Sequence, residues 1–307
     1  MKEYYSREKN ENRMLKNLFG PDTPDLSELM KNIALVLLNI HPSWDFNRPV
    51  PPNLIYLGAF SPQTKGHLSK ELQSYLDDST KGVIYVSFGT NVDKTVLSPA
   101  KVNMMIEVFS KLPYNVLMTW DDEIKPLSKN IKISNWYPQV NILNHVNTKL
   151  FITHGGIHST HEAIAAGVPV IGIPMIFDQW INAEKYVQYQ IGEKLDFHSI
   201  KNNILKNAIE KIIKNSSYRN NIIKLRSQMF DQPQKPMERA VWWTEFVLRH
   251  GNETNLRPPT VNMSWIEYYE IELICLVIVS ICSIMLFVTK CLRWFVIRIL
   301  SKKKKIN

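Results

Sequence analysis

The chain has 307 residues, of which 45% are hydrophobic and 21% are charged. This composition excludes a disordered chain and a small disulfide-rich protein, and the length allows about two domains of ~150 residues. Basic residues outnumber acidic ones by 37 to 28, but seven basic residues and no acidic residue follow Glu272. The body of the protein is therefore nearly neutral, which argues against a nucleic-acid partner and for a basic membrane flank.

The first fifty residues predict little regular structure. Residues 26–32 are typical of a helix end, 34–40 of a short buried strand, and the proline-rich segment 41–53 of a linker. Met1 is followed by polar and charged residues without the apolar stretch of a signal peptide. Two interpretations follow: an upstream part of the chain is missing, or the product is not translocated.

Short apolar strands then alternate with helices, which predicts parallel βαβ units with helices on both faces of one sheet. Ligands of such sheets bind at the carboxyl ends of the strands. The predicted strands are 53–60, 83–88, 115–120, 131–134, 149–153 and 168–173, and the predicted helices are 71–76, 98–112, 140–144, 159–166, 181–190, 201–214, 218–229 and 234–249.

An apolar run near the C-terminus, uncharged from Leu273 to Thr289, predicts a membrane-spanning helix over 271–289. Interfacial aromatic residues flank the run, and the lysine-rich tail at 290–307 is expected to face the cytosol, leaving the main domain in the lumen. A buried core helix is the alternative, but the run is apolar on all sides. The three cysteines lie in or beside this run, so the globular part has no cysteine to form a disulfide, a nucleophile or a metal site: Cys275, Cys282 and Cys291.

Two weaker signals agree with a lumenal domain. Glycosylation sequons begin at Asn215, Asn252 and Asn262. Lys304 and Lys305, close to the C-terminus, resemble the dilysine retrieval signal of endoplasmic-reticulum membrane proteins. A plain basic stop-transfer flank would give the same pattern.

Four features at predicted strand ends could together bind a nucleotide sugar, although each has a simpler explanation. Trp136 could stack on a base or pack in the core, and His154-Gly155-Gly156 could hold a phosphate or form a tight turn. Glu162 could accept from a ribose diol or serve the helix dipole, and Asp178-Gln179 could bind a sugar or form a loop. Neither GxGxxG nor a P-loop motif occurs, so a dinucleotide oxidoreductase or P-loop NTPase is not supported.

The stretch from Trp136 to Gln179 resembles the signature of the UDP-glycosyltransferases, which include the membrane UDP-glucuronosyltransferases of animals. The likeness runs from about Phe19 to the lysine tail and favours the animal, membrane-anchored branch. It implies a GT-B fold with two Rossmann-like domains. Residues 1–52 would then be the end of the acceptor-side domain and a linker, 53–250 the UDP-sugar-binding domain and 251–270 a juxtamembrane segment.

The resemblance also implies residue roles. Trp136 would stack on uracil with Gln139 near the nucleoside, and Glu162 would bind the ribose. The remaining site residues would contact the rest of the donor: Thr90, His154, Gly155, Gly156, His158 and Ser159 the diphosphate, and Asp178 and Gln179 the donor sugar. Many relatives carry asparagine at His158, where an imidazole N–H could also donate. His161 would be a packing or surface residue.

The implied reaction is inverting transfer of a hexosyl or glucuronosyl group from UDP to a small lipophilic acceptor, with UDP-glucose or UDP-glucuronate as co-substrate and no cofactor or metal. The implied base is a histidine oriented by an aspartate, both in the acceptor-side domain and without counterparts here. The alternative is an inactive, membrane-anchored UDP-sugar-binding module that pairs with full-length relatives. Membrane lipid and further copies or relatives are the other expected partners.

Overall fold

The computed structural model describes residues 2–59, 67–90, 97–120, 128–251 and 256–303. The chain divides into two compact units. One comprises 1–36, 50–54 and 247–307, and the other comprises 37–49 and 55–246. The bounds of the strands are β1 Val36–Leu38, β2 Leu54–Tyr56, β3 Val83–Ser87, β4 Asn115–Thr119, β5 Ile131–Ser134, β6 Thr148–Thr153, β7 Val170–Gly172 and β8 Gly192–Lys194. The bounds of the helices are α1 Lys2–Phe19, α2 Leu26–Lys31, α3 Lys70–Asp77, α4 Pro99–Ser110, α5 Gln139–Leu143, α6 Ile157–Ala166, α7 Gln179–Gln188, α8 Asn202–Lys214, α9 Ser216–Phe230, α10 Pro236–His250, α11 Trp265–Tyr268 and α12 Ile271–Lys303.

The larger unit is built on a six-stranded parallel sheet with the order β5-β4-β3-β6-β7-β8. The chain fills one half of the sheet outward from β3 to β5 and then returns to fill the other half from β6 to β8. The strand order therefore reverses between β3 and β6. In open α/β sheets the crevice for a ligand lies at this switch point, outside the carboxyl ends of the strands. The predicted parallel α/β architecture is confirmed.

Both faces of the sheet are buried, which explains why its strands are continuously apolar. Along β3, Ile84 and Val86 belong to the core cluster with α4 and α8, while Val83 and Tyr85 belong to the cluster with α6, α7 and α9. Side chains alternate between faces in a strand, so one five-residue segment serves both cores. The central strand β3, which borders the switch point, is therefore packed in the core on both of its faces.

Four segments differ from the sequence-based expectations. Lys2–Phe19, where no helix was predicted, forms the 18-residue helix α1. The strand expected to be buried at 34–40 is the short β1, where Val36 and Leu37 are 37% and 36% exposed, because it pairs only with β2 outside the main sheet. The segment expected to be a linker contains a 3₁₀ turn, Pro42–Asp45, whose Trp44 is 1% exposed. The edge strand β8 was not predicted, because its sequence, Gly-Glu-Lys, has no apolar pattern.

Local signals account for the helix ends near the switch point. Ser98 precedes α4 with Pro99 at its first position, as predicted. Gly167 ends α6 in the left-handed conformation with φ 70°, which a glycine adopts without steric cost. The helix α6 begins two residues earlier than predicted, so Gly156 is its N-cap and Ser159 lies in its first turn.

In the other unit, α12 is the element that could cross a membrane. The candidate span covers the 28 residues Ile271–Arg298, and its 18-residue apolar window has a mean hydropathy of 2.8 with none of it buried. The helix continues past the predicted spanning segment to Lys303. Asn252, Lys304 and Lys305, on which one sequon and the retrieval signal rest, lie outside the described residues.

Candidate functional site

A cleft of 1260 Å³ opens at the carboxyl end of the sheet. Its wall comprises the ends of β3, β4 and β5 with the residues after them, the residues around the start of α3, and the N-terminal halves of α5 and α6. Five residues predicted to bind the donor line it: Thr90, Trp136, Gln139, Ser159 and Glu162. The parallel sheet brings them together because each follows the carboxyl end of a strand.

Trp136 is an exposed wall of this cleft. Its side chain is 69% exposed, so the alternative of core packing does not hold. The Ser134 hydroxyl donates to the Trp136 carbonyl at 3.1 Å, which fixes the turn after β5. The next residue, Tyr137, packs edge to face on Tyr85 with 6.5 Å between ring centroids. The indole therefore stands on a supported turn with a flat apolar face available to a ligand.

Gln139, Ser159 and Glu162 form one hydrogen-bonded group in the cleft. The Gln139 amide donates to Glu162 Oε2 at 2.6 Å and to Ser159 Oγ at 3.1 Å. Glu162 lies beyond the first turn of α6, so it is not a capping residue. Burial raises the pKa of the Glu162 carboxyl, and the Gln139 hydrogen bond opposes this shift. Gln139 thus orients a carboxylate acceptor, and its hydrogen bond favours the ionised form of that carboxyl.

The two glycines before α6 allow the backbone to approach a ligand. Gly155 has φ 90°, and a Cβ there would lie 3.1 Å from the Gln179 carbonyl oxygen. Gly156 caps α6 without a side chain of its own, which leaves first-turn N–H groups directed at the space before the helix. Because the helix dipole adds partial positive charge there, the geometry suits an anion.

His154 lies beneath this loop and is 7% exposed. A Cβ on Gly156 would lie 2.5 Å from its Nε2 atom, and a Cβ on Gly89 would lie 2.7 Å from its Cε1 atom. Burial lowers the pKa of the His154 imidazole, while the charge of Asp178 opposes the shift. A neutral ring therefore fills the space between the loops after β3 and β6. His158 is exposed and does not line the cleft.

Asp178 and Gln179 lie at the start of α7, outside the cleft wall formed by Trp136 and Glu162. Gln179 is 3% exposed, and its Oε1 atom accepts from the backbone N–H groups of Met175 and Ile176 at 2.8 and 2.9 Å. The hydrogen bonds of this oxygen are therefore made to the backbone of the loop after β7. Asp178 is at an exposed position. The predicted sugar-binding roles of both residues stay predictions.

Sequence reasoning missed several polar groups of the cleft. Ser87 and Thr119 end β3 and β4 and line it, and the Thr119 hydroxyl lies 3.2 Å from the Tyr85 hydroxyl. Their positions as the last residues of apolar strands would have identified them. It also missed Asn182, which no local pattern distinguishes. Among the described residues, no group of three or more histidine, cysteine or carboxylate side chains could hold a metal ion.

Solved structures share this fold. A glycosyltransferase of kitacinnamycin has a TM-score of 0.62 at 18% identity, covering 78% of this chain and 62% of that one. A UDP-glucose: anthocyanidin 3-O-glucosyltransferase in complex with UDP has a TM-score of 0.60 at 21% identity, covering 70% and 53%. Fold and sheet order define the class: the chain contains a Rossmann-like α/β domain of the GT-B glycosyltransferase type.

Sequence comparison gives the family. The family model for UDP-glucoronosyl and UDP-glucosyl transferase matches residues 4–306, and the chain belongs to that family. An ecdysteroid UDP-glucosyltransferase of Spodoptera littoralis nuclear polyhedrosis virus is 35% identical, covering 92% of this chain and 56% of the relative. Human UDP-glucuronosyltransferase 2B10 is 33% identical, covering 91% and 53%. The chain thus spans about half the length of these curated relatives.

Proposed function

We propose that this chain is the UDP-sugar-binding half of an inverting UDP-glycosyltransferase that acts on small lipophilic acceptors. The observation that carries the proposal is the group of Trp136, Gln139, Ser159 and Glu162 in one cleft beside the start of α6. An aromatic face, a carboxylate and open helix N–H groups correspond to the base, the ribose diol and the diphosphate of a uridine diphosphate.

The chain's own residues would act on the leaving group. As the acceptor oxygen forms a bond to the sugar C1 atom, the bond from C1 to the diphosphate oxygen breaks and the acceptor proton passes to a base. The charge that develops on the diphosphate is stabilised by the N–H groups at the start of α6. The family resemblance assigns the base to the acceptor-side domain.

His145 is not a candidate for that base, although it pairs with a carboxylate. Its Nε2 atom lies 3.0 Å from Asp77 Oδ1, and its Nδ1 atom accepts from the Asn147 N–H at 3.2 Å. Both ring nitrogens are therefore engaged, and the ring does not line the cleft. The geometry supports a role for this pair in holding α3 to the start of β6.

The charges favour a neutral hexose such as glucose over glucuronate. Asp178 lies at the start of α7 near the glycine loop, Gly155–Gly156. Its negative charge would repel a sugar carboxylate there, whereas its carboxylate oxygens would accept hydrogen bonds from sugar hydroxyls. Lys132, which lines the described part of the cleft, is paired with Glu71 at 3.0 Å. The sequence relatives include glucosyltransferases and glucuronosyltransferases, so the family alone leaves the donor open.

The apolar helix α12 supports a membrane anchor in this proposal. The lysine-rich end would lie in the cytosol and the sugar-binding domain in the lumen of the endoplasmic reticulum. Protease protection of the full chain in microsomes tests the orientation. Cleavage of the intact domain without permeabilisation would reject it.

The binding proposal is tested by titrating the full chain in detergent with UDP-glucose and UDP-glucuronate by calorimetry. We expect binding of UDP-glucose and weaker binding of UDP-glucuronate. Trp136→Ala should weaken binding about 5- to 150-fold, since base–aromatic stacking contributes about 1–3 kcal/mol. Glu162→Ala should also weaken it, by at least tenfold. Trp242→Ala, on α10 outside the cleft, is the control. Unchanged affinity in both cleft variants would reject the assigned pocket.

Turnover separates the enzyme from the inactive alternative. The full chain is incubated with UDP-glucose and a lipophilic phenol, alone and with a full-length relative, and the glucoside is measured. Product from the chain alone would reject the inactive module. No product from the chain alone, together with more product from the mixture than from the relative alone, would favour it.

A further inference from the structure

A buried tryptophan from outside the predicted donor domain is fixed to α7. Trp44 lies in the 3₁₀ turn Pro42–Asp45, and its Nε1 atom donates to Asn182 Oδ1 at 2.9 Å in a buried hydrogen bond. Its ring stacks on Tyr189 with 5.6 Å between centroids, and the Tyr189 hydroxyl donates to the Ser43 carbonyl at 2.7 Å. Segments 138 residues apart are thereby joined through one side-chain amide.

The other end of that amide reaches the glycine loop. Asn182 Nδ2 donates to the Gly155 carbonyl at 2.9 Å and to Asp178 Oδ2 at 2.8 Å. An indole N–H can only donate, so it must face the amide oxygen. Trp44 therefore determines which end of Asn182 is the donor, and the NH₂ group is directed at Gly155. Asn182 is 3% exposed, so water cannot easily replace these partners.

The Gly155 carbonyl controls the direction of the next N–H. In a trans peptide, the carbonyl of one residue and the N–H of the next point in opposite directions. When Asn182 holds the Gly155 carbonyl, the Gly156 N–H must point away from α7. A Gly-Gly peptide can otherwise rotate at little steric cost, because neither residue has a Cβ atom. The loop thus needs an external restraint to keep a fixed donor at the start of α6.

We propose that Asn182 is a positioning residue for the donor diphosphate: it fixes the Gly155–Gly156 peptide so that the Gly156 N–H faces the phosphate, and Trp44 fixes the amide of Asn182. This inference rests on the proposed function and names a residue of that same site. Asn182 acts through the backbone of the loop. Its contribution belongs to the diphosphate and not to the nucleoside, which Trp136 and Glu162 bind.

The test compares UDP with uridine, since only UDP carries the diphosphate. Dissociation constants for both are measured by calorimetry on the full chain in detergent, wild type and Asn182→Ala. We expect the variant to bind UDP at least about tenfold more weakly, the equivalent of one buried hydrogen bond, and to bind uridine as the wild type does. A merely structural role would weaken both ligands or neither.

Two further variants keep the test decisive. Trp44→Phe keeps the buried ring but removes the N–H, and should reduce the preference for UDP over uridine in the same direction by a smaller factor. Asn147→Ala is the matched control: its Nδ2 atom also donates to a backbone carbonyl, that of Leu76 at 2.9 Å, but before β6 at the opposite end of the sheet. It should lower stability and leave the ratio unchanged.

The outcomes distinguish the inference from the function on which it rests. If wild-type protein binds UDP more tightly than uridine and both Asn182→Ala and Trp44→Phe keep that ratio, the positioning role is rejected and the proposed function stands. If the wild type binds neither ligand, both are rejected. If Asn182→Ala does not fold, the ratio measured on Trp44→Phe decides.

Discussion

The buried histidine of α6 should make the protein sensitive to mild acid. His161 is 0% exposed, and neither ring nitrogen has a hydrogen-bond partner among the described residues. Burial lowers the pKa of its imidazole to about 4, and the nearby His158 and His41 act in the same direction. The ring therefore stays neutral in the folded protein at pH values where it is charged in the unfolded chain.

The sign and size of the effect follow from this difference. Above the unfolded pKa of 6.5 both states are neutral, and the contribution to stability is complete. As the pH falls toward 4, the His161 imidazole is protonated in the unfolded chain but stays neutral in the folded protein, so the free energy of unfolding decreases. From a folded pKa of about 4, the loss is about 2 kcal/mol between pH 7 and pH 5 and about 3 kcal/mol at pH 4.

The perturbation that isolates this group is His161→Leu. An apolar side chain of similar size needs no hydrogen bond, so we expect the variant to be about 1 kcal/mol more stable than wild type at pH 7. The advantage should grow by about 2 kcal/mol at pH 5, because the variant has no imidazole to protonate on unfolding. Free energies of unfolding come from urea denaturation of the full chain in detergent, followed by tryptophan fluorescence. If wild type and variant lose the same stability between pH 7 and pH 5, His161 is not a buried neutral group and the reasoning is wrong.

Three further predictions concern Glu162 of the cleft and two glycines, Gly155 before α6 and Gly192 in β8. Affinity for UDP-glucose should fall as the pH is lowered through the raised pKa of Glu162, because a protonated carboxyl is a poorer acceptor, whereas Glu162→Gln should show a flatter calorimetric pH profile. Gly155→Ala should weaken UDP binding by at least about tenfold, since φ is 90° and the Gln179 carbonyl leaves little room for a Cβ, and wild-type affinity would contradict the close approach. Gly192→Ala should lower the melting temperature by several degrees, because its Cβ would clash with the Val170 carbonyl, while affinity at low temperature should be unchanged.

Local patterns were sufficient for elements whose signals lie within a few residues. The β5 strand was predicted with its observed bounds, and Gly167 correctly marked the end of α6. Apolar runs that alternate with helices predicted the parallel sheet, because strands buried on both faces are apolar along their whole length. Trp136 and Glu162, which line the cleft, were predicted as candidate site residues because each follows a predicted strand end.

Contacts between distant segments could not be predicted in this way. The proline content of 41–53 indicated a linker, but Trp44 is buried because α7 presents Tyr189 and Asn182 to it. His161 was expected to be a packing or surface residue, and only the structure shows that it is fully buried without a partner among the described residues.

The sequence by itself determined the class of fold, the apolar C-terminal helix and five of the residues that line the cleft, because periodicity and strand-end chemistry are local properties of the chain. Only the tertiary structure decided that β3 and β6 are neighbours at the switch point and that Gln139 bonds to Glu162. It also decided that Asn182 holds the glycine loop. These features depend on which segments pack together, and packing energy is shared among residues that no window of sequence contains.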